Sequence, residues 1–161
     1  MKKEIEVKNQ DELNAAIAEY GSDLIAVIRD TFDGDIVINE DKMVGNITVY
    51  GTVDGSIDVY GTGKVGNITV YGTVDDDIYV YGTGMVGNIT VFGTVDGSIY
   101  VSSNGKVGSI YVYDTGKVGR IYVSSNGKVG SIYVYDTGKV GNITVYGTVT
   151  GRSQKRNQTH C

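Results

Sequence analysis

Side chains that could act as nucleophiles or general bases are scarce among the 161 residues. The only histidine and the only cysteine, His160 and Cys161, are the last two residues, where we expect no folded element to orient them. One cysteine and one histidine also cannot complete the four ligands of a zinc site. The sequence therefore predicts no catalytic residue and no cofactor, and a protein that is not an enzyme.

Acidic residues offer another route to chemistry, as calcium ligands. Asp75, Asp76 and Asp77 form the only acidic triplet, and calcium-dependent catalysis would need a basic residue beside such a cluster. The arginines outside the C-terminal segment, Arg29 and Arg120, are distant from it along the chain. Because aspartates at turns commonly bond to their own backbone, we expect no metal site, with Asp75, Asp76 and Asp77 as the candidates for a bound cation.

Tyrosine is the residue type that most suggests binding, since the chain has 13 tyrosines and no tryptophan. In the segments around Tyr111 and Tyr133, an Ile-Tyr-Val-Tyr strand would point Ile and Val to one face and both tyrosines to the other. The candidate residues for a protein interface or a glycan platform are Tyr79, Tyr100, Tyr111, Tyr113, Tyr122, Tyr133 and Tyr135. The expected outer column containing Tyr113 and Tyr135 also includes Tyr50, Tyr60, Tyr71, Tyr81, Phe92 and Tyr146. Such ladders can simply stabilise a sheet, but tyrosine is also enriched where proteins meet.

These residues belong to a tandem repeat that occupies most of the chain. An isoleucine followed two residues later by Val or Ile recurs every 10 or 11 residues from Ile36 to Ile143. Two kinds of unit alternate, so one full period is 21 residues and later 22. Repeats of this length indicate stacked structural turns, about five of them between Ile36 and Val149.

The pattern within a unit predicts an all-β parallel β-solenoid. Ile68 and Val70 are two residues apart and share one face of a strand. Val65 is out of phase with them, so burial of all three requires a bend at Gly66-Asn67. Closed coils of 21–22 residues would then stack at about 4.8 Å.

The competing fold is an antiparallel meander. Dipeptides such as Asp54-Gly55 and Asn104-Gly105 are typical of hairpin turns. A single-layer meander would leave its Ile and Val face uncovered, whereas near-identical units stack like on like in a solenoid.

The chain divides into three expected parts. Residues 1–35 form an N-terminal cap with a strand, an amphipathic helix that begins at Asn9 with a capping box to Glu12, and a second strand. Residues 36–150 form the solenoid, and residues 151–161 form a flexible basic tail. A helix across the end of a solenoid covers its open core and unpaired strand.

Two resemblances follow from these features. The order of strand, amphipathic helix, apolar strand and coils resembles the start of right-handed parallel β-helices of the pectin-lyase-like type, which include polysaccharide lyases and phage tailspikes. The Lys-Val-Gly-Asn-Ile and Thr-Val-Asp-Gly-Ser-Ile phrases between residues 43 and 149 resemble the Val-x-Gly-x-Ile rungs of bactofilins, which are polymer-forming β-helices. The first resemblance implies a right-handed helix and, by analogy with phage β-helices, a trimer. Bactofilins normally lack a capping helix, so we do not expect this chain to polymerise end to end as they do.

Charge and composition bound the expected partners. The net charge of −5 disfavours binding to nucleic acid or anionic lipid. We expect no membrane span and no secretory signal, and therefore folding in a cytoplasm, because Met1-Lys2-Lys3-Glu4 is followed by no apolar run. Gly-rich, Pro-free and rich in Val, Ile and Tyr, the chain is expected to be neither collagen-like nor disordered.

The resulting hypothesis is a non-enzymatic, homo-oligomeric building block of a larger particle, such as a capsid decoration or tail-fibre component of a phage virion. One alternative is a carbohydrate-binding module that uses the tyrosines. Another, by resemblance, is a degenerate polysaccharide lyase.

Overall fold

Each coil buries β-branched side chains from two facing strands. In one coil the inward residues are Val65, Ile68, Val70, Val74, Ile78 and Val80, each no more than 3% exposed. The computed structural model describes residues 2–135, 137–151 and 153–155. These residues form a parallel β-solenoid of about seven turns with one short helix near the N-terminus, so the predicted fold class is confirmed.

The repeat strands of the first sheet are seven residues long, whereas the earlier strands of the second sheet are divided into two short parts. The strands are β1 (Lys3–Glu6), β2 (Leu24–Ile28), β3 (Thr31–Phe32), β4 (Ile36–Ile38), β5 (Met43–Val49), β6 (Thr52–Val53), β7 (Ile57–Val59), β8 (Lys64–Val70), β9 (Thr73–Val74), β10 (Ile78–Val80), β11 (Met85–Val91), β12 (Thr94–Val101), β13 (Lys106–Val112), β14 (Lys117–Val123), β15 (Lys128–Val134), β16 (Lys139–Val145), β17 (Thr148–Val149) and β18 (Ser153–Lys155). The helix α1 is Gln10–Tyr20, and a 3-10 turn follows at Gly21–Asp23.

The strands form two sheets, and all their pairings among the described residues are parallel. The first sheet has the order β1-β2-β5-β8-β11-β13-β15, with β17 and β18 both beside β15. In the second sheet, β3, β6 and β9 pair in that order and β9 pairs with the first part of β12. The strands β4, β7 and β10 likewise pair in order, and β10 pairs with the last part of β12. On its other edge β12 pairs with β14, which pairs with β16. Strands adjacent in a sheet are thus about one coil apart in sequence, which excludes the meander.

The isoleucines stack in register through the core. Ile47 pairs with Ile68, Ile68 with Ile89, and Ile89 with Ile110 along the first sheet. All four side chains are fully buried, so the predicted internal column is confirmed.

The predicted bend at Gly66-Asn67 is where the ladder of the first sheet is interrupted. Val65 and Asn67 both pair with the next coil, but Gly66 lies between these pairs without a register partner. A Cβ atom on Gly66 would collide with the carbonyl oxygen of Gly45 in the preceding coil. Glycine is therefore required by the close approach of stacked backbones.

The N-terminal segment joins the stack and covers its first coil. Leu13, Ala16 and Ile17 of α1 are buried, and the side chain of Asn9 accepts a hydrogen bond from the Glu12 N–H at 2.9 Å, as the capping box predicts. The Gln10 side chain accepts a hydrogen bond from the Val37 N–H and donates one to the Val37 carbonyl oxygen, at 2.9 and 3.0 Å. This amide occupies the free edge of β4 in place of another strand.

At the other end, Ser153–Lys155 of the expected tail forms β18 and pairs with β15. Residues 152 and 156–161 of the tail, including His160 and Cys161, lie outside the described residues.

Candidate functional site

One candidate column runs along the outside of the first sheet. Thr48, Thr69, Thr90, Tyr111 and Tyr133 occupy equivalent positions in β5, β8, β11, β13 and β15. Their side chains point outward because the residues on either side of each one, such as Ile110 and Val112, are fully buried. All five are half-buried. The column changes from threonine to tyrosine at Tyr111, halfway along the stack.

A second column follows at the corner where the chain leaves the first sheet. It consists of Tyr50, Tyr71, Phe92, Tyr113 and Tyr135, with ring centroids of successive residues 5.1 to 5.5 Å apart and the rings close to parallel. Tyr50 and Tyr71 are each about half exposed, at 51% and 50%. An aromatic stripe thus runs along one corner of the solenoid.

The two columns meet in a tyrosine tetrad, formed by Tyr111, Tyr113, Tyr133 and Tyr135. The Tyr111 ring lies 5.5 Å from that of Tyr113 and 5.4 Å from that of Tyr133, and the Tyr135 ring lies 5.2 Å from Tyr113 and 5.5 Å from Tyr133. All four interplanar angles are below 10°. Burial raises the pKa of the Tyr113 phenol, and the neighbouring phenols of Tyr111 and Tyr135 add to the shift. Tyr113 is therefore neutral at physiological pH.

The other three candidates lie on the second sheet. Asp58, Tyr79, Tyr100, Tyr122 and Thr144 share one outward column. Tyr79 and Tyr100 are 5.4 Å apart and tilted by 37°, and the Arg120 guanidinium lies 5.5 Å from the Tyr122 ring centroid. The seven candidate tyrosines therefore form two separate groups on the two sheets.

The expected single outer column was wrong for Tyr60, Tyr81 and Tyr146. These residues lie at the opposite corner, where the backbone N–H groups of Tyr60, Tyr81 and Tyr146 bond to Ile38, Val59 and Val123 of the second sheet. The Tyr60 and Tyr81 rings stack at 4.9 Å, while Ser102 and Ser124 fill the next two positions of that corner. The error arises because the half-coils look alike in sequence, although alternate ones belong to different sheets.

The acidic candidates lie in the short connection between the two parts of each second-sheet strand. The Asp77 carboxylate accepts a hydrogen bond from the Ser98 N–H at 2.6 Å, and Asp35 accepts one from the Ser56 N–H at 2.7 Å. Each carboxylate thus bonds to the backbone of the next coil, 21 residues further along the chain, and not to its own turn as expected from the sequence. Among the described residues, no three His, Cys, Asp or Glu side chains are arranged to hold a metal ion, those of Asp75, Asp76 and Asp77 included.

Asp58 is the most perturbed group of the described chain. Its Oδ1 atom is buried and has no hydrogen-bond partner there. Burial, together with the nearby carboxylates of Asp35 and Asp77, raises the pKa of this carboxyl to about 6. Asp58 occupies the position at which the next coil has Tyr79, so a charged residue stands at the end of the tyrosine column.

Sequence reasoning missed a groove along the first sheet. Its floor is the column of valines and glycines at the bend, such as Val65 and Gly66, and its volume is about 690 Å³. Lys2, Lys64, Lys106 and Lys128 line it together with Met43 and Met85, and its lining contains no acidic residue. Lys64, Lys106 and Lys128 form no ion pair within the described part of the chain. The signal for it was the lysine or methionine that precedes each Val-Gly on this sheet.

Comparison of the chain with protein-family models, curated proteins and solved structures finds no significant match. In the part of the chain that the structure describes, no helix has the length and apolar character needed to span a bilayer.

Proposed function

We propose that this protein is a non-enzymatic, rigid building block of a larger assembly, such as a virion, and that another protein chain covers its tyrosine tetrad. The observation that carries this proposal is the tetrad itself, four half-buried phenol rings packed side by side on one surface. Tyrosine supplies a large apolar contact area together with a hydroxyl group for hydrogen bonding, which suits it to protein interfaces.

The orientation of the rings favours a protein partner over a sugar. Nearly parallel rings about 5.2 to 5.5 Å apart are offset-stacked, so that their faces cover one another. Stacking covers part of each ring face, which leaves the ring edges and hydroxyl groups as contact points for a partner. A sugar that stacks on tyrosine needs a free ring face, whereas a protein surface can pack on edges and bond to the hydroxyls.

The rest of the outer surface is consistent with a part that sets shape. Ile and Val fill the core from α1 to the last coils, and repeated coils make contacts only with their neighbours, which gives a stiff rod. The aromatic stripe extends the apolar surface beyond the tetrad through Phe92 to the exposed rings of Tyr71 and Tyr50. Long exposed apolar patches mark interaction surfaces in soluble proteins.

The test is to replace the tetrad, Tyr111, Tyr113, Tyr133 and Tyr135, with serine and to follow association by sedimentation velocity, with copurifying proteins as a second readout. We expect the variant to stay folded, because the internal Ile and Val columns are untouched, and to lose association. The matched control replaces Tyr79, Tyr100 and Tyr122 on the second sheet with serine, which removes a comparable ladder and should leave tetrad-dependent association intact. Wild-type protein that stays monomeric, recruits no protein and binds polysaccharide through the tetrad would overturn the proposal.

A further inference from the structure

The two sheets differ at the same point of each coil, and the difference gives them opposite shapes. On the first sheet two residues, such as Gly66 and Asn67, separate the inward-facing Val65 and Ile68. On the second sheet three residues separate the inward-facing Val53 and Ile57. The additional residue has to bow outward, because both flanking side chains are fixed in the core. The first sheet therefore carries a groove where the second carries a bulge.

The bulges form an acidic ridge made of residues 33–35, 54–56, 75–77 and 96–98. Its outward column, Asp33, Asp54, Asp75 and Asp96, has one aspartate in each of four successive coils. The register shift between Val95 and Ser98 against β14 marks where the additional residue is lost. From there on Arg120 takes the position of Ser98, and Lys117 takes that of Thr94 just before the ridge.

The groove on the first sheet is the complement of this ridge in charge and in spacing. Lys64, Lys106 and Lys128 occupy one register column along the rim of the groove, with Met43 and Met85 at the remaining positions. The aspartate column repeats at the coil spacing of about 4.8 Å, and the lysines stand at multiples of that spacing, two coils apart from Lys64 to Lys106 and one coil apart from Lys106 to Lys128. Four aspartates of one ridge can therefore face the four coils from Lys64 to Lys128, with an ammonium group opposite a carboxylate at three of them and Met85 at the fourth.

We propose that the occupant of this groove is a second copy of the same chain, which inserts its acidic ridge between the lysines. This inference rests on the proposed role in an assembly and names the partner: Lys106 and Tyr111 lie in the same strand, β13, so a chain seated in the groove also lies beside the tetrad. The contact joins two different surfaces, and such heterologous contacts repeat from molecule to molecule into rows. Growth is side by side, since α1 and Gln10 cover the first coil.

A charge exchange between the two surfaces tests the inference. One variant carries Lys64→Glu, Lys106→Glu and Lys128→Glu, and the other carries Asp54→Lys, Asp75→Lys and Asp96→Lys. We expect wild-type protein to associate at about 50 mM NaCl. At about 500 mM NaCl the affinity of this self-association should fall by about tenfold or more, because screening weakens exposed charge pairs. Each variant alone should lose association, since like charges then face each other. An equimolar mixture of the two variants should regain it, because the groove of one and the ridge of the other again have opposite signs.

Circular dichroism and the melting temperature of each variant report whether it is folded, and a milder pair with Lys→Gln and Asp→Asn at the same positions keeps the test usable if a reversal variant does not fold. Association of wild type that is insensitive to salt, or reversal variants that self-associate as wild type does, would overturn the ridge-in-groove contact. A wild-type chain that stays monomeric at low salt but recruits another protein through the tetrad would also overturn it, and would leave the proposed function standing. If the groove binds an acidic polysaccharide and the protein does not self-associate, the proposal that a second copy occupies the groove is wrong.

Discussion

Asp58 provides the sharpest test of the energetics of this fold. Its carboxyl is half-buried, one of its oxygens has no partner in the described residues, and its pKa is raised to about 6, chiefly by burial. We expect Asp58→Asn to stabilise the protein at pH 7.5 and to have no such effect at pH 4.

The sign follows from the two protonation states. Because the pKa in the folded chain lies above the ordinary value of 3.8, the native state holds its proton more tightly than the unfolded state. Below about pH 4 the carboxyl is protonated in both states and costs nothing. Between about pH 4 and pH 6 the unfolded state gives up its proton first, so stability falls as the pH rises, and the full cost is present above about pH 6.

The magnitude follows from the same values. A rise in pKa from 3.8 to about 6 corresponds to about 3 kcal/mol for a fully desolvated group, at about 1.4 kcal/mol per tenfold change in proton affinity. Since solvent reaches about half of this side chain, we expect a gain of about 1 to 1.5 kcal/mol from Asp58→Asn at pH 7.5.

The assay is urea unfolding of wild type and variant between pH 4 and pH 8, compared as the difference in the free energy of unfolding. Asp54→Asn removes the same charge from an exposed position of the same coil and should change stability by less than about 0.5 kcal/mol. A variant that is no more stable than wild type at pH 7.5, or a gain that persists at pH 4, would refute the reasoning.

Two further predictions test the stacked core. Ile89→Asp should lower the free energy of unfolding by more than about 4 kcal/mol and unfold the domain, because it buries an unpaired carboxylate in the isoleucine column. Thr90→Asp on the outer face should leave the domain folded. Circular dichroism of the two proteins checks this, and a folded Ile89→Asp would contradict the inward assignment. Deleting residues 110–131 joins Ser109 to Ile132 and restores the phrase Ser-Ile-Tyr-Val-Tyr, so we expect a shorter rod that still unfolds cooperatively, since each coil contacts only its neighbours. Failure of that protein to fold would argue against independent coils.

The sequence alone determined what depends on local pattern. The spacing of Ile68 and Val70 fixed an inward face, the repeat of 21 or 22 residues fixed the coil, and Asn9 with Glu12 fixed the start of α1. These features follow from backbone geometry within a few residues and from stacking of like on like, and both can be seen in a single chain.

The tertiary structure decided which outward residues are neighbours. Tyr60 and Tyr71 occupy equivalent positions of successive units in the sequence, but they lie at opposite corners because alternate half-coils belong to different sheets. The closed path of the coil also buries one oxygen of Asp58 near two other carboxylates. It places the lysine-lined groove on the first sheet and the acidic ridge on the second. A repeat pattern gives each residue an inward or outward direction and a stacking partner one period away, whereas only the path of the closed coil decides which sheet or corner an outward residue occupies.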